Sequence, residues 1–179
     1  MMSHERYRLG IVLFLLCVGG AFSLGVAASG REGAVAPARD PLYLAECGSC
    51  HFAYPPALLP ARSWERTMNG LERHFGENAE VADATGTALR GYLAANAADR
   101  AGEGKARKFL ASIATDEIPE RITTTRYFVH KHREIPRSMW EKNPKLGSLS
   151  RCEGCHARAD QGSFDEHEVR IPGVGRWED

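Results

Sequence analysis

The segment Cys47-Gly48-Ser49-Cys50-His51 is answered later in the chain by Cys152-Glu153-Gly154-Cys155-His156. Cys-x-x-Cys-His is the pattern that attaches a haem covalently. Two cysteines three apart lie on one side of a helical turn. From there both thiols reach one edge of a porphyrin and form thioethers, while the following histidine offers a ring nitrogen to the iron. Two Cys-x-x-Cys pairs could instead supply four thiolates to a zinc ion. That reading leaves both histidines unexplained and requires pairs about a hundred residues apart to converge. A dithiol redox site has no need of a second copy. The spacing therefore predicts two covalently bound haem c groups and, with them, an electron carrier.

Other readings of the chain fit around that frame. Arg6 and Arg8 precede an uncharged apolar run from Leu9 to about Ala28, ending in Val26-Ala27-Ala28. This is the pattern of an export signal over residues 1–28, with an uncleaved anchor as the alternative, since the run is long enough to span a bilayer. It places the rest of the protein in the periplasm. Of the five cysteines, Cys17 falls inside the run and the other four are all in the two motifs, so none is left for a disulfide. The 23 basic residues balance the 23 acidic ones, and haem carboxylates would add negative charge. Such a surface argues against nucleic acid as a partner. Residues 29–37 read as a flexible segment, 38–115 as a first haem domain and 116–179 as a second with a C-terminal tail. Each is small enough that side chains alone make a marginal core, so the haem must serve as its centre.

In the first domain, Asp40 and Pro41 open a helix that runs into Cys47. Pro55, Pro56 and Pro60 force a loop, in which a carbonyl could bond the far nitrogen of His51; a plain surface turn is the alternative. Ser63 is placed to cap a helix whose apolar stripe is Trp64, Met68, Leu71 and Phe75. An iron held by His51 needs a sixth ligand. His74 is the only other histidine in this half, and Met68 is its rival. Further helices are expected from Asp83 to Ala97 and from Glu103 to Ala114.

In the second domain, Thr125 is placed to cap a short helix through His132. His130 and His132 lie about 200° apart around it, so only one can face a haem. His132 shares its face with Phe128 and Val129, and His130 shares the more polar face of Arg126 and Tyr127. His132 is therefore the better partner for His156, with Met139 a weaker candidate and Trp140 a haem-packing side chain. Ser148 is placed to cap a helix carrying Cys152 to His156, which Gly162 ends. His167, in an acidic stretch, reads as solvent-exposed. The attachment motif comes first in the pair His51 and His74 and last in the pair His132 and His156, so the halves are not a tandem repeat.

The chain resembles the bacterial dihaem cytochrome c family. The resemblance is carried by residues 47–56, Trp64 to Glu77, residues 131–135, Cys152 to His156, Gln161 to Asp165 and Val169 to Pro172. One departure is His130, where that family has a basic residue other than histidine. The resemblance implies a mainly α protein with a class-I cytochrome c-like N-terminal domain and an irregular C-terminal one with few helices. It implies axial histidines at both irons, with His74 and His132 distal, and outer-sphere electron transfer by low-potential haems. It also implies a periplasmic monomer that relays electrons between membrane cytochromes and a soluble c-type cytochrome, and no enzymatic activity. The alternatives are a haem enzyme or gas sensor with a displaceable distal ligand, or a membrane-tethered subunit of a respiratory complex.

Overall fold

Asp40 and Pro41 start the first helix as their chemistry dictates. In α1 (Pro41–Cys47) the Asp40 carboxylate accepts from the Tyr43 amide at 2.8 Å, and the proline occupies the first turn, where its missing N–H costs nothing. The structure, a computed structural model, describes residues 34–101 and 103–177; the expected export signal lies outside these. Helix α1 stops directly after the first attachment cysteine. The Gly48 amide donates to the Leu44 carbonyl, and a Cβ on Gly48 would sit 2.3 Å from that oxygen, so only glycine fits there.

Pro55, Pro56 and Pro60 are fully buried, so the loop is part of the core and not a surface turn. It leads into α2 (Ala61–Met68), which begins straight after Pro60. Ser63 is therefore not its cap. It lies inside the helix, buried, with its hydroxyl unpartnered. The Ala61 amide is satisfied by the Asp99 carboxylate at 2.9 Å. The expected stripe also breaks: Leu71–Arg73 is a 3₁₀ turn, and Phe75 is 46% exposed at φ 53°.

Then follow α3 (Asp83–Asn96), α4 (Ala98–Ala101) and α5 (Gly104–Ala111). Helix α3 buries Leu89 and Leu93 and meets α1 through the Tyr43 and Tyr92 rings, 5.3 Å apart. Helices α6 (Arg126–His132) and α7 (Arg137–Trp140) open the second half. Thr125 precedes α6, but its hydroxyl turns back to the Ile122 carbonyl and does not cap the helix. The remainder is 3₁₀ turns and a short antiparallel hairpin, β1 (Arg170–Ile171) with β2 (Gly175–Arg176). The fold is thus mainly α, and its C-terminal part is irregular.

The main hydrophobic core does not stop at residue 115. Ile122 and Phe128 join Leu58, Trp64, Leu89 and Phe109 in it, and the Phe109 and Tyr127 rings meet edge to face at 4.9 Å. The expected flexible segment 29–37 is docked in its described part. Val35 is buried, and its amide donates to the Gly162 carbonyl at 2.9 Å. Gly162, at φ 77°, has no room for a Cβ against the Val35 carbonyl. A second, small core holds only Leu146, Val169 and Ile171 as buried members.

Candidate haem sites

At the first motif the His51 ring stands 6.1 Å from the His74 ring, centre to centre, with the planes 22° apart. The Nδ1–H of His51 donates to the Phe52 carbonyl at 2.8 Å, which leaves Nε2 for a metal. The orienting carbonyl is thus that of Phe52, just before the proline loop and not within it. His74 sits on a tight turn, where the Glu77 amide donates to its carbonyl. Phe75 and Gly76 both have positive φ, 53° and 107°. An aromatic residue in the left-handed region is strained. Its ring packs at 4.7 Å on the His74 ring and carries the Arg121 guanidinium at 3.8 Å. The expected stripe carried Phe75 into a core helix and gave no sign of this turn; the glycine after Phe75 was the available signal. Met68 instead belongs to the main core, where Arg90 donates to its carbonyl.

At the second motif the His132 and His156 ring centres are 6.3 Å apart, with planes at 74°. The Nδ1–H of His132 donates to the Phe128 carbonyl at 2.9 Å, and its ring stacks on Phe128 at 3.9 Å. His130 is exposed and pairs with the Arg133 guanidinium. His156 keeps a buried Nδ1 with no hydrogen-bond partner, so this imidazole is incomplete with protein atoms alone. Burial, and then His132, push its pKa down to about 4, which keeps the ring neutral and able to ligate. Burial, then His51, also lowers His74. The motif itself is not helical beyond a 3₁₀ turn over Cys152–Gly154, and Gly162 ends a separate turn over Ala159–Gln161.

A cleft of about 980 Å³, its open mouth included, is lined by both His132 and His156. Phe109, Ile122, Phe164 and Trp177 give it apolar walls, and Lys105, Lys131 and Arg151 stand in it as cations. Lys105, whose pKa is lowered by burial and then by Lys131, comes from α5 in the other half of the chain. Lys131 pairs with Glu166 at 2.5 Å. Met139 and Trp140 pack on the small core instead of lining the cleft. His167 is exposed.

Simple geometry tests whether these residues fit a haem iron. A metal–imidazole bond of about 2 Å on each side, plus the ring dimension, places two trans imidazole centres roughly 6 Å apart. Both pairs meet that separation. None of the four motif cysteines is in a disulfide. Burial, then Glu153, pushes Cys152 up to about 12; burial, then Glu46, pushes Cys47 up to about 11; burial also raises Cys155. Protonated thiols are the opposite of a reactive dithiol, whose pKa is lowered. Among the described residues, no three or more His, Cys, Asp or Glu side chains cluster as a metal-ion site of their own, and no helix there is long and apolar enough to cross a membrane.

Comparison with known proteins gives the same direction. The family model for dihaem cytochrome c matches residues 43–164. A dihaem cytochrome type c from Shewanella baltica OS155 is 43% identical, with a TM-score of 0.64 over 77% of this chain and 97% of its own. A dihaem cytochrome c from Rhodobacter sphaeroides is 41% identical, with a TM-score of 0.66 over 73% of this chain and 100% of its own. No curated protein matches the chain. With two attachment motifs, two imidazole pairs at iron-bridging distance and these relatives, the chain belongs to the dihaem cytochrome c family, electron-transfer proteins that carry two covalently attached haem c groups.

Proposed function

We propose that the protein is a periplasmic, outer-sphere electron carrier whose two haems are both low-spin and low-potential. Cys47 and Cys50 hold the first haem and Cys152 and Cys155 the second. With the haems bound, His51 and His74 would hold one iron, and His132 and His156 the other. The haem-binding units are residues 38–115 and 116–179, joined by a shared core. Each bound haem supplies a one-electron ferric–ferrous couple. The chain's own residues do the rest. Two imidazoles leave no coordination position for a small molecule and keep the ligand set the same in both redox states. An imidazole in place of a thioether lowers the potential. The carbonyls of Phe52 and Phe128 orient His51 and His132 and raise their basicity. The apolar walls of the second cleft keep water from the ring, and its cations oppose the haem carboxylates. Weak docking to a soluble c-type cytochrome and to a membrane cytochrome completes the relay, through a small patch suited to rapid exchange.

The observation that supports this reading best is the pair of imidazole separations, 6.1 and 6.3 Å. Electron paramagnetic resonance of the oxidised protein tests it. Nearly parallel rings lift the degeneracy of the two iron orbitals they face, whereas nearly perpendicular rings leave it almost intact. The expected spectrum therefore has two different low-spin signals, one rhombic and one strongly anisotropic. Carbon monoxide added to the reduced protein should not bind. Rapid stoichiometric binding at either haem would favour the enzyme or gas-sensor reading instead.

A further inference from the structure

We propose that Tyr54 is the bridge through which electrons pass between the two haem sites. Its ring lies 5.2 Å from the His51 ring, with the planes 31° apart. Its hydroxyl donates to the Ser150 carbonyl at 2.8 Å, across 96 residues of sequence. That carbonyl lies two residues before Cys152, whose sulfur stands 3.7 Å from the same oxygen. One side chain thus touches the proximal imidazole of the first site and hydrogen-bonds to the backbone that leads directly into the attachment cysteine of the second. Nothing about Tyr54 is left loose. Its own carbonyl accepts from the Tyr43 hydroxyl at 2.8 Å, and Phe52 packs edge-on against its ring at 5.6 Å. Ser150 is fixed in turn, its amide donating to the Ser148 hydroxyl.

Electron tunnelling is faster through bonds and hydrogen bonds than across open gaps, so this contact is the efficient route. With both haems bound, one electron would leave the ferrous haem held at His51 and arrive at the ferric haem held at His156, so that the two exchange oxidation states. No bond forms or breaks and no proton moves. The Tyr54 hydroxyl faces a carbonyl, which is no base, so the tyrosine keeps its proton and is not itself oxidised. It is a positioning residue for transfer, acting through His51 and Ser150.

The inference rests on the proposed imidazole pairs at both irons. Absence of two low-spin signals in the unmodified protein would overturn that reading rather than this one. The test of the bridge uses holoprotein variants, Tyr54→Phe and Tyr54→Leu. Proton NMR of partly reduced, dilute samples reads the exchange of one electron between the haems, because each haem's methyl signals broaden with that exchange. The expected result is exchange slowed several-fold in Tyr54→Phe and more in Tyr54→Leu, with both low-spin signals and both midpoint potentials retained. Wild-type exchange in both variants would overturn the bridge. So would slowed exchange that comes with a shifted potential or an altered low-spin signal, since Tyr54 would then be shaping a site and not joining two.

Discussion

Single side chains decide which ligands the irons take. His132 is pinned twice, by a ring stack and by a hydrogen bond to Phe128, whereas His130 points to solvent and meets Arg133. In the holoprotein, His132→Ala should open the second iron, so that the reduced protein binds carbon monoxide at one haem. His130→Ala should leave spectrum and binding unchanged, and a reversal of the two would transfer the ligand role to His130. The first site offers a similar contrast. Met68 is 5% exposed within the main core, while His74 faces His51 across the iron-bridging distance. Redox titration of Met68→Leu should return both original potentials, with a stability loss under about 1.5 kcal/mol for a volume-conserving swap. His74→Met should raise one potential, because a thioether favours ferrous iron. An unmoved potential in His74→Met would remove His74 from that iron. Helical phase alone put His132 on an apolar face and His130 on a polar one, and the packing of the two side chains follows that phase. The strained turn at Phe75 that holds His74 was not legible, because a left-handed aromatic residue contradicts the statistics that a sequence reading uses.

Whole elements were legible where their signals are local. Helix α1 announces itself through Asp40 and Pro41, and α3, α5 and α6 through their apolar spacing. Two starts were misplaced, the first because a partner distant in sequence satisfies the helix's first amide and the second because local groups compete with the helix. Helix α2 begins at Ala61 because Asp99, on α4, satisfies its first amide. No window around Ser63 contains that information. The second attachment motif does not become a helix because Gly154 is a poor helix former and Ser148 diverts the Ser150 amide to its own hydroxyl. Helix α5 was legible as a helix, but its place in the wall of the second cleft was not. Lys105 reaches the cleft only because α5 packs against α6. A positive charge beside a haem favours the reduced, more negative state, so Lys105→Met should lower the potential of the haem whose low-spin signal is strongly anisotropic and leave the other unmoved. Spectropotentiometry with resonance detection separates the two. An equal shift of both haems would mean that Lys105 acts as diffuse surface charge.

At the scale of the molecule, the two halves are unequally endowed. The main core gathers α1, α2, α3 and α5, the proline loop and the docked segment around Val35, and it runs on into Ile122 and Phe128. The distal part, from α7 through the hairpin, has a core of its own whose buried members are Leu146, Val169 and Ile171, while Leu149 and Phe164 pack on the main core. So few apolar side chains cannot offset the backbone entropy of ordering some forty residues, at about 1–2 kcal/mol each. A macrocycle in the cleft would supply the missing apolar surface. Preventing its attachment with Cys152→Ala and Cys155→Ala together should therefore have a local consequence. Residues 137–177 should lose amide hydrogen-exchange protection, while α3 and α5 keep theirs and the first haem keeps its low-spin spectrum. Far-UV circular dichroism should change little, because the lost segment is mostly turns. Preventing attachment of the first haem, with Cys47→Ala and Cys50→Ala, should cost less protection in the helices, since Leu58, Trp64, Leu89 and Phe109 are buried among one another without it. Retained protection over 137–177 in the first variant would show that the small core stands alone, and that the second haem is a passenger in the fold and not its centre.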